Sequence, residues 1–167
     1  MCGGIVYRRI FMIETNSSLI LMKLEAGSRE DAIIKLCDVL EREGYIGSSY
    51  CEEVIKREEE YPTGLPSEGV VAAIPHAFSD DCKKTGTAVG ILSSPVQFRN
   101  IADFDEILDV ELVFLLANAS GDNEHLDALQ ELMGCMSRPE MLKAIKYASS
   151  ADEVCDILAH AEDYPEE

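Results

Sequence analysis

The sequence has few basic residues and no long apolar segment. Its 167 residues include 14 Lys and Arg against 32 Asp and Glu, which gives a formal net charge of −18. Nucleic-acid binding needs clustered basic side chains, so their scarcity excludes it and also disfavours an anionic membrane surface. No apolar run reaches the roughly 18 residues of a membrane-spanning helix, and we expect no direct membrane insertion. The acidic charge would attract a basic partner surface, although solubility alone explains part of it.

Motifs for a disulfide framework or a zinc site are missing as well. The sequence has six cysteines and three histidines, but no cysteine pair has C-x-x-C spacing and no Cys/His cluster resembles a zinc site. Cys37, Cys135 and Cys155 fall within apolar helical patterns, where a free cysteine behaves as a small hydrophobic residue. Free thiols in this number favour a reducing cytoplasm.

The length fits one domain, and the apolar pattern predicts both strands and helices. Strands are predicted at 19–24, 70–75, 86–92 and 110–117, with a short edge strand within 95–104. Helices are predicted at 28–44, 49–60 and 122–136, followed by two more. The predicted N-caps are Ser28, Ser137 and Ser150. The element order and the hairpin-length links predict an α/β domain with a mixed parallel/antiparallel sheet of about five strands flanked by helices.

One histidine lies at the end of a predicted strand. The segment 69–74 is mostly apolar, and Pro75 fixes its own φ while it keeps Ile74 in an extended geometry. His76 is therefore presented from a stiff strand end, where many α/β proteins place their chemistry. A histidine in this position is more often an ordinary surface residue, so by itself the pattern makes His76 only a candidate nucleophile or proton carrier.

The segment before this strand completes a recognisable pattern. Arg57-Glu58 precedes Pro62-Thr63-Gly64-Leu65, and Ala73-Ile74-Pro75-His76 follows after a short spacer. Together, at this spacing, these motifs resemble the enzyme IIA proteins of the bacterial phosphoenolpyruvate-dependent sugar phosphotransferase system. The resemblance is to the fructose/mannitol type and, within it, to the galactitol-specific branch.

The resemblance covers nearly the whole chain, from about Glu14 to about His160. It predicts an enzyme IIA-like domain over residues 12–162. Residues 1–11 precede this domain, and an upstream extension, an alternative start and an artificial addition are all open explanations for them. Residues 163–167 are predicted to form an acidic tail.

The resemblance implies the type 2 enzyme IIA fold and the role of a phosphoryl carrier. His76 would accept a phosphoryl group through Nε2 from the phosphohistidine of the small protein HPr, while a backbone carbonyl holds the other ring nitrogen. The group would then pass to a cysteine of a IIB protein, and the membrane protein IIC would take part only indirectly. This scheme needs an accessible His76 but no metal or other cofactor, and it operates in the cytoplasm.

Two further site residues are carried over from the family by position. His125 lies in a Glu-His-Leu context at the first turn of the helix predicted at 122–136, where the helix N-terminus favours a bound phosphoryl group. Arg57 lies on the helix before the turn-rich loop, and its guanidinium can bind a phosphoryl group bidentately. Without the resemblance, the pattern favours His125 as a core-edge residue and Arg57 as one more solvated charge.

Other residues near His76 have less specific interpretations. Ala77, Phe78 and Val96 are candidates for an apolar docking patch, with a core position as the alternative for Phe78. His160, near the end of the last predicted helix, is given no catalytic role. The resemblance also makes Cys82 incidental, because the family's cysteine chemistry belongs to the IIB partner.

Two other functions are open at this point. A regulatory relative would carry the same phosphohistidine but would control a kinase, a transporter or a transcription regulator. It would not pass its phosphoryl group to a IIB cysteine. A metal-dependent or acid–base hydrolase using His76 and His125 lacks a third ligand at recognisable spacing and is therefore the weaker alternative.

Overall fold

The computed structural model describes residues 13–119 and 122–167, and the side chains of residues 122–126 lie outside that description. The predicted extension at 1–11 also lies outside the described residues. The strands are β1 (Ile20–Leu24), β2 (Gly64–Leu65), β3 (Ala72–Ala73), β4 (Gly86–Arg99) and β5 (Ile107–Ala117). The helices are α1 (Arg29–Arg42), α2 (Tyr50–Glu60), α3 (Asp122–Met136), α4 (Pro139–Lys146) and α5 (Ala151–Ala159). Among these described helices, none has the length and apolar character that a membrane crossing needs.

The strands form one mixed sheet in the order β1-β4-β5-β3-β2. The pairs β1/β4 and β3/β5 are parallel, whereas β4/β5 and β2/β3 are antiparallel. Helices pack on both faces of the sheet, so its central strands are buried on both sides. The predicted fold class, a single α/β domain with a mixed sheet flanked by helices, is confirmed.

The two faces of the sheet pack against different helices. Leu115 of β5 belongs to the core shared with α1 and α2, and its neighbours Phe114 and Leu116 belong to the core shared with α4 and α5. Successive side chains of a strand point to opposite faces, so a strand between two cores is apolar at every position. This explains the nearly unbroken apolar run at the end of β5.

The strand β4 is longer than predicted. It extends to Arg99 and includes most of the segment in which a separate edge strand was predicted. That prediction is wrong, because the residues from Val96 onward pair with β5. Pro95 lies in the irregular stretch of register between Ile91 and Val96, where the missing N–H of proline costs no ladder hydrogen bond.

The strand β3 is shorter than predicted. Its ladder covers Ala72–Ala73. Just before it, the N–H groups of Glu111 and Leu112 both donate to the carbonyl of Val71, at 2.9 and 3.3 Å. Contact with β5 resumes beyond Pro75, which brings the end of this segment back to the centre of the sheet.

Ser28 and Ser150 cap their helices as predicted. The Ser28 hydroxyl accepts a hydrogen bond from the N–H of Asp31 at 3.1 Å, at the start of α1. The Ser150 hydroxyl accepts one from the N–H of Glu153 at 3.1 Å, at the start of α5. Both helices therefore begin where the sequence places an N-cap residue.

The helix α4 begins differently from the prediction. Its N-cap is Arg138 rather than Ser137, whose hydroxyl instead donates back into α3 at 2.7 Å. The buried Arg138 side chain donates to the carbonyl of Tyr164 and, at 2.9 Å, to the carboxylate of Glu166. Residues 163–167, predicted as an acidic tail, are thus held against α4 through a buried arginine.

The two outer strands of the sheet are short or distorted. In β1, Lys23 has a φ of +49°, in the left-handed region that few residues other than Gly, Asn and Asp enter. The register between β1 and β4 shifts between Leu21 and Leu24, around this residue. At the opposite side of the sheet, β2 has two residues.

We expect Ser28→Ala to destabilise the protein through α1. The change removes the acceptor of the Asp31 N–H, and the loss of an N-cap costs about 1 kcal/mol of folding free energy. Urea unfolding followed by circular dichroism measures the effect. The control is Ser94→Ala in the exposed part of β4, which we expect to stay within about 0.5 kcal/mol of wild type. An unchanged unfolding free energy for Ser28→Ala would contradict the cap.

Candidate functional site

His76 lies beyond the carboxyl end of β3, next to the carboxyl end of β5. The N–H of Leu116 donates to the carbonyl of Pro75 at 3.1 Å, and His76 and Leu116 form an isolated parallel bridge. Pro75 fixes its own φ and restricts Ile74 before it, so the chain approaches His76 in a fixed direction. The structure therefore presents this histidine from a supported strand end, in the region where α/β proteins commonly bind ligands.

The imidazole of His76 is held by its own backbone. Its Nδ1 lies 2.8 Å from the carbonyl oxygen of Ile74. A carbonyl oxygen only accepts, so Nδ1 carries the proton of this hydrogen bond and Nε2 carries the lone pair of the neutral ring. His76 is 7% exposed, which is less than expected for a residue that partners must reach. In-line transfer nevertheless needs access to one ring nitrogen and not to the whole side chain.

A buried tyrosine ties α2 to the backbone on both sides of the histidine. Tyr50 is 0% exposed, and its hydroxyl lies 2.7 Å from the carbonyl oxygen of Leu116 and 3.4 Å from that of Ala77. Burial raises the pKa of Tyr50, so its hydroxyl keeps the proton that it donates. Leu116 pairs with His76 and Ala77 follows it, so Tyr50 sets the position of α2 relative to the imidazole.

The loop after His76 is fastened to the start of α2. The carboxylate of Asp81 accepts hydrogen bonds from the N–H and the hydroxyl of Ser49, at 2.8 and 2.6 Å. Ser49 is the N-cap of α2, so the negative charge lies at the positive end of the helix. The hydrogen bonds from Ser49 lower the pKa of Asp81. This contact is a second attachment between α2 and the segment that carries His76.

A buried carboxyl group anchors the loop before β3. Glu58, in the last turn of α2, is 2% exposed and accepts hydrogen bonds from the N–H of Thr63 at 2.9 Å and from its hydroxyl at 2.7 Å. Burial raises the pKa of Glu58 to about 7, against the opposite effect of these hydrogen bonds. The turn-rich segment that leads to β2 is therefore fixed to α2 by an acid rather than by apolar packing alone.

Glu58 was not among the predicted site residues. It belongs to a run of acidic residues, and acidic runs on helices are usually solvated. It does lie on the same face of α2 as the fully buried Tyr50 and Val54. This i, i+4, i+8 spacing is the signal in the sequence that identifies Glu58 as inward-facing.

Gly64 lets the same loop approach the end of β4 closely. A Cβ atom at this position would lie 2.6 Å from the carbonyl oxygen of Arg99. The Arg99 side chain in turn donates to the carbonyl of Glu59 at the end of α2. The loop is thus enclosed between α2 and β4, and any larger residue at Gly64 would displace it.

The guanidinium of Arg57 contacts two aromatic rings. Its Cζ lies 5.0 Å from the ring centroid of Tyr61 and 4.7 Å from that of Phe78. The Phe78 ring also meets the imidazole of His76, with 6.1 Å between centroids and an interplanar angle of 82°. The structure therefore brings Arg57 and His76, both predicted site residues, to the same aromatic ring.

An open hollow of about 170 Å³ lies beside these residues. Its lining consists of Arg57 with Ala77 and Phe78, and of three charged side chains of α2, Glu53, Lys56 and Glu60. Lys56 is exposed and Arg57 is half-buried. Of the two adjacent basic residues, Arg57 is thus the one that packs against the aromatic rings next to His76.

The predicted apolar docking patch is reduced to one residue. Ala77 and Val96 are each 5% exposed and belong to the core between the sheet and the helices α1 and α2. Val96 pairs with Val110, in the half of the β4/β5 ladder that is remote from Leu116. The prediction for Ala77 and Val96 is therefore wrong, because both side chains point into the core. Phe78 is 52% exposed and is not a core residue.

The remaining candidates have different surroundings. His125 belongs to the first turn of α3, and its side chain lies outside the described residues. His160 is the C-cap of α5, is exposed, and has its Nδ1 2.8 Å from the carbonyl oxygen of Asp156. Burial raises the pKa of Cys82 to about 11, so this thiol is protonated near neutral pH. In the described part of the chain, no three potential metal-ligating side chains converge.

The described site is suited to accepting an anionic, electrophilic group. It has a ring nitrogen with a defined lone pair and a guanidinium that shares an aromatic neighbour with that ring. The nitrogen can attack, and the cation can balance the charge that arrives. Phosphoryl transfer depends mainly on such positioning and charge stabilisation.

One protein-family model matches nearly the whole chain. Residues 15–161 match the model of the family described as "Phosphoenolpyruvate-dependent sugar phosphotransferase system, EIIA 2". The fructose-specific EIIABC component of the phosphotransferase system of Bacillus subtilis is 30% identical over 142 residues, which are 83% of this chain and 21% of that protein. The chain thus spans about a fifth of the length of the first curated relatives it matches.

Solved structures share this fold. Nitrogen regulatory protein IIA-Ntr from Neisseria meningitidis superposes with a TM-score of 0.73 at 29% identity, covering 86% of this chain and 95% of that chain. The complex of the mannitol enzyme IIA with phosphorylated enzyme IIB from Escherichia coli matches with a TM-score of 0.71 at 25% identity, covering 86% of this chain and 96% of that one.

We expect the folded protein to lose stability as Glu58 titrates. Its folded-state pKa of about 7 lies above the ordinary value of 4.5, so the folded state retains a proton that the unfolded chain releases. The contribution of Glu58 to the folding stability is therefore fully present below about pH 4.5, and it is lost as the pH rises through about 7. Glu58→Gln removes this titration while it keeps the side-chain shape. Urea unfolding at several pH values should show wild type losing stability relative to Glu58→Gln as the pH rises.

The matched control for this experiment is the exposed neighbour Glu59. Glu59→Gln changes the net charge equally but leaves the buried carboxyl group in place. Its unfolding free energy should follow that of wild type across the pH range. If wild type and Glu58→Gln have parallel pH profiles instead, Glu58 does not titrate with a raised pKa in the folded state.

Proposed function

Because the chain belongs to the EIIA 2 family of the phosphoenolpyruvate-dependent sugar phosphotransferase system, we propose that His76 is the residue on which it carries the phosphoryl group. A family member of this kind is a phosphotransferase component. The observation that carries the proposal is the hydrogen bond from Nδ1 of His76 to the Ile74 carbonyl, which leaves the attacking lone pair on Nε2.

The transfer at His76 exchanges one phosphorus–nitrogen bond for another. As the bond between phosphorus and the imidazole of the donor breaks, a bond forms between phosphorus and Nε2, and the electron pair returns to the donor ring. The Nδ1 proton stays in its hydrogen bond with Ile74. In the second step, the P–Nε2 bond breaks as a cysteine thiolate of the acceptor attacks.

Two further residues complete the proposed site. Arg57 balances the charge of the phosphoryl group through its guanidinium, a role supported by its contact with Phe78 next to His76. His125 hydrogen-bonds the phosphoryl group from the first turn of α3. Its support is the Glu-His-Leu motif, together with the start of α3 shortly after β5, the strand that pairs with His76.

The proposed donor is HPr and the proposed acceptor is a IIB protein. The Escherichia coli mannitol enzyme IIA, whose fold this chain shares, forms a complex with phosphorylated enzyme IIB. IIC would act only downstream, when IIB phosphorylates the incoming sugar at the membrane. The proposal places the chain in the cytoplasm, in keeping with its free thiols.

The proposal also includes the sugar that the transport system takes up. Galactitol or a related sugar is proposed from the sequence motifs alone, because the transport relatives described above are named for fructose and mannitol. In this scheme the chain handles only the phosphoryl group. The sugar preference would therefore be expressed in the choice of IIB partner.

We expect His76→Ala to abolish labelling by radioactive phosphoenolpyruvate in the presence of enzyme I and HPr. The change removes the nitrogen that attacks phosphorus in the proposed transfer. The control is His160→Ala, which removes an exposed histidine at the end of α5 and should label like wild type. Full labelling of His76→Ala would end the proposal.

We expect His125→Ala to retain some labelling but to slow transfer to IIB. The nucleophile is intact in this variant, whereas a hydrogen bond to the migrating group is lost, which costs on the order of tenfold or more in rate. A chase of the labelled protein with purified IIB measures the onward step. If the protein accepts the label but never passes its phosphoryl group to IIB, this result would instead favour the regulatory alternative. IIA-Ntr represents that alternative among the relatives.

A further inference from the structure

Phe78 contacts both the candidate nucleophile and the candidate cation, and we propose that it is a positioning residue for phosphoryl transfer at His76. The proposal rests on the proposed function, because it gives Phe78 a role only if His76 accepts the phosphoryl group. Phe78 comes two residues after His76 and lies outside both motifs of the family resemblance.

One ring makes two directional contacts. The Phe78 and His76 rings meet at 82° with centroids 6.1 Å apart, an edge arrangement that aromatic pairs prefer. The guanidinium carbon of Arg57 lies 4.7 Å from the Phe78 centroid, within the range of a cation–π contact. Because the same ring contacts both side chains, it couples the position of the cation to that of the nucleophile.

The aromatic rings hold Arg57 without neutralising it. Glu53 and Glu60 line the same hollow and lie at helix positions where an arginine commonly forms ion pairs. Among the described residues, however, no carboxylate forms an ion pair with Arg57. Its Nε is buried without a hydrogen-bond partner in that part of the chain. The charge of the guanidinium is therefore available to an incoming anion.

The consequence for catalysis is a guanidinium that is ordered before the phosphoryl group arrives. A free arginine side chain has many rotamers, and the loss of that freedom during the reaction would raise the barrier. Contacts with Phe78 and Tyr61 restrict these rotamers in advance. Phe78 makes no bond to the reacting group, so it acts through Arg57 on the rate of transfer rather than on the affinity for the donor.

The test is the rate of phosphoryl transfer from phosphorylated HPr, measured over a range of HPr concentrations. We expect Phe78→Leu to lower the maximum rate about tenfold, the rate equivalent of a lost cation–π contact. The HPr concentration for half-maximal rate should change less than about twofold. Phe78→Tyr keeps the aromatic face and should stay within about threefold of wild type. A wild-type rate for Phe78→Leu, or an effect confined to the HPr concentration dependence, overturns the proposal.

The chain provides a matched control in Phe104. This phenylalanine is 45% exposed, and the guanidinium carbon of Arg99 lies 5.9 Å from its ring centroid. Phe104→Leu should transfer at the wild-type rate, and an equal slowing would show that any exposed phenylalanine has this effect. In an Arg57→Gln background, Phe78→Leu should slow transfer by less than about twofold, because its effect runs through Arg57. A further tenfold loss in that background overturns the proposal.

Thermal unfolding of each variant separates a positioning effect from loss of the fold. If Phe78→Leu does not fold, Tyr61→Leu removes the other ring on Arg57, and a wild-type maximum rate in that variant overturns the proposal. Failure of the proposed function has a different signature. Full labelling of His76→Ala rejects that function, whereas loss of labelling there, combined with a wild-type rate for Phe78→Leu, rejects only the positioning role.

Discussion

The hydrogen bond between the His76 ring and the Ile74 carbonyl determines which nitrogen of the site carries the lone pair. The bond spans two residues, and it is maintained because Pro75 keeps the chain between them extended. The Leu116 N–H holds the carbonyl of Pro75, and the Tyr50 hydroxyl holds the carbonyl of Leu116. A local contact is therefore supported by the central strand and by α2.

How far the sequence predicts this structure depends on whether the determining contacts are local. The caps Ser28 and Ser150 and the strand-end position of His76 follow from neighbouring residues, and all three predictions agree with the structure. The full length of β4 and the short ladder of β3 depend on pairing with β5, which no single segment reveals. Glu58 is an intermediate case. The sequence predicts that its side chain lies on the buried face of α2, but it does not predict that the carboxylate accepts hydrogen bonds from Thr63.

The arginine side chains have two kinds of neighbour. Arg29, Arg42 and Arg138 pair with carboxylates, as expected in a chain with a net charge of −18. Arg57 instead contacts aromatic rings, although glutamates surround it on α2. An acidic protein that must bind an anion needs a cation that its own carboxylates do not neutralise. Aromatic contacts meet that need, since they orient a guanidinium without cancelling its charge.

The irregular margins of the sheet have a consequence for the protein at high concentration. A regular outer strand exposes a row of N–H and C=O groups on which a second molecule can add its own strand, the first step of edge-to-edge aggregation. Here β2 has too few residues to act as such a template. β1 is interrupted by the left-handed backbone of Lys23, whose charge opposes the approach of a like molecule at the same place. The two outer strands therefore both disfavour the addition of a strand from a second molecule.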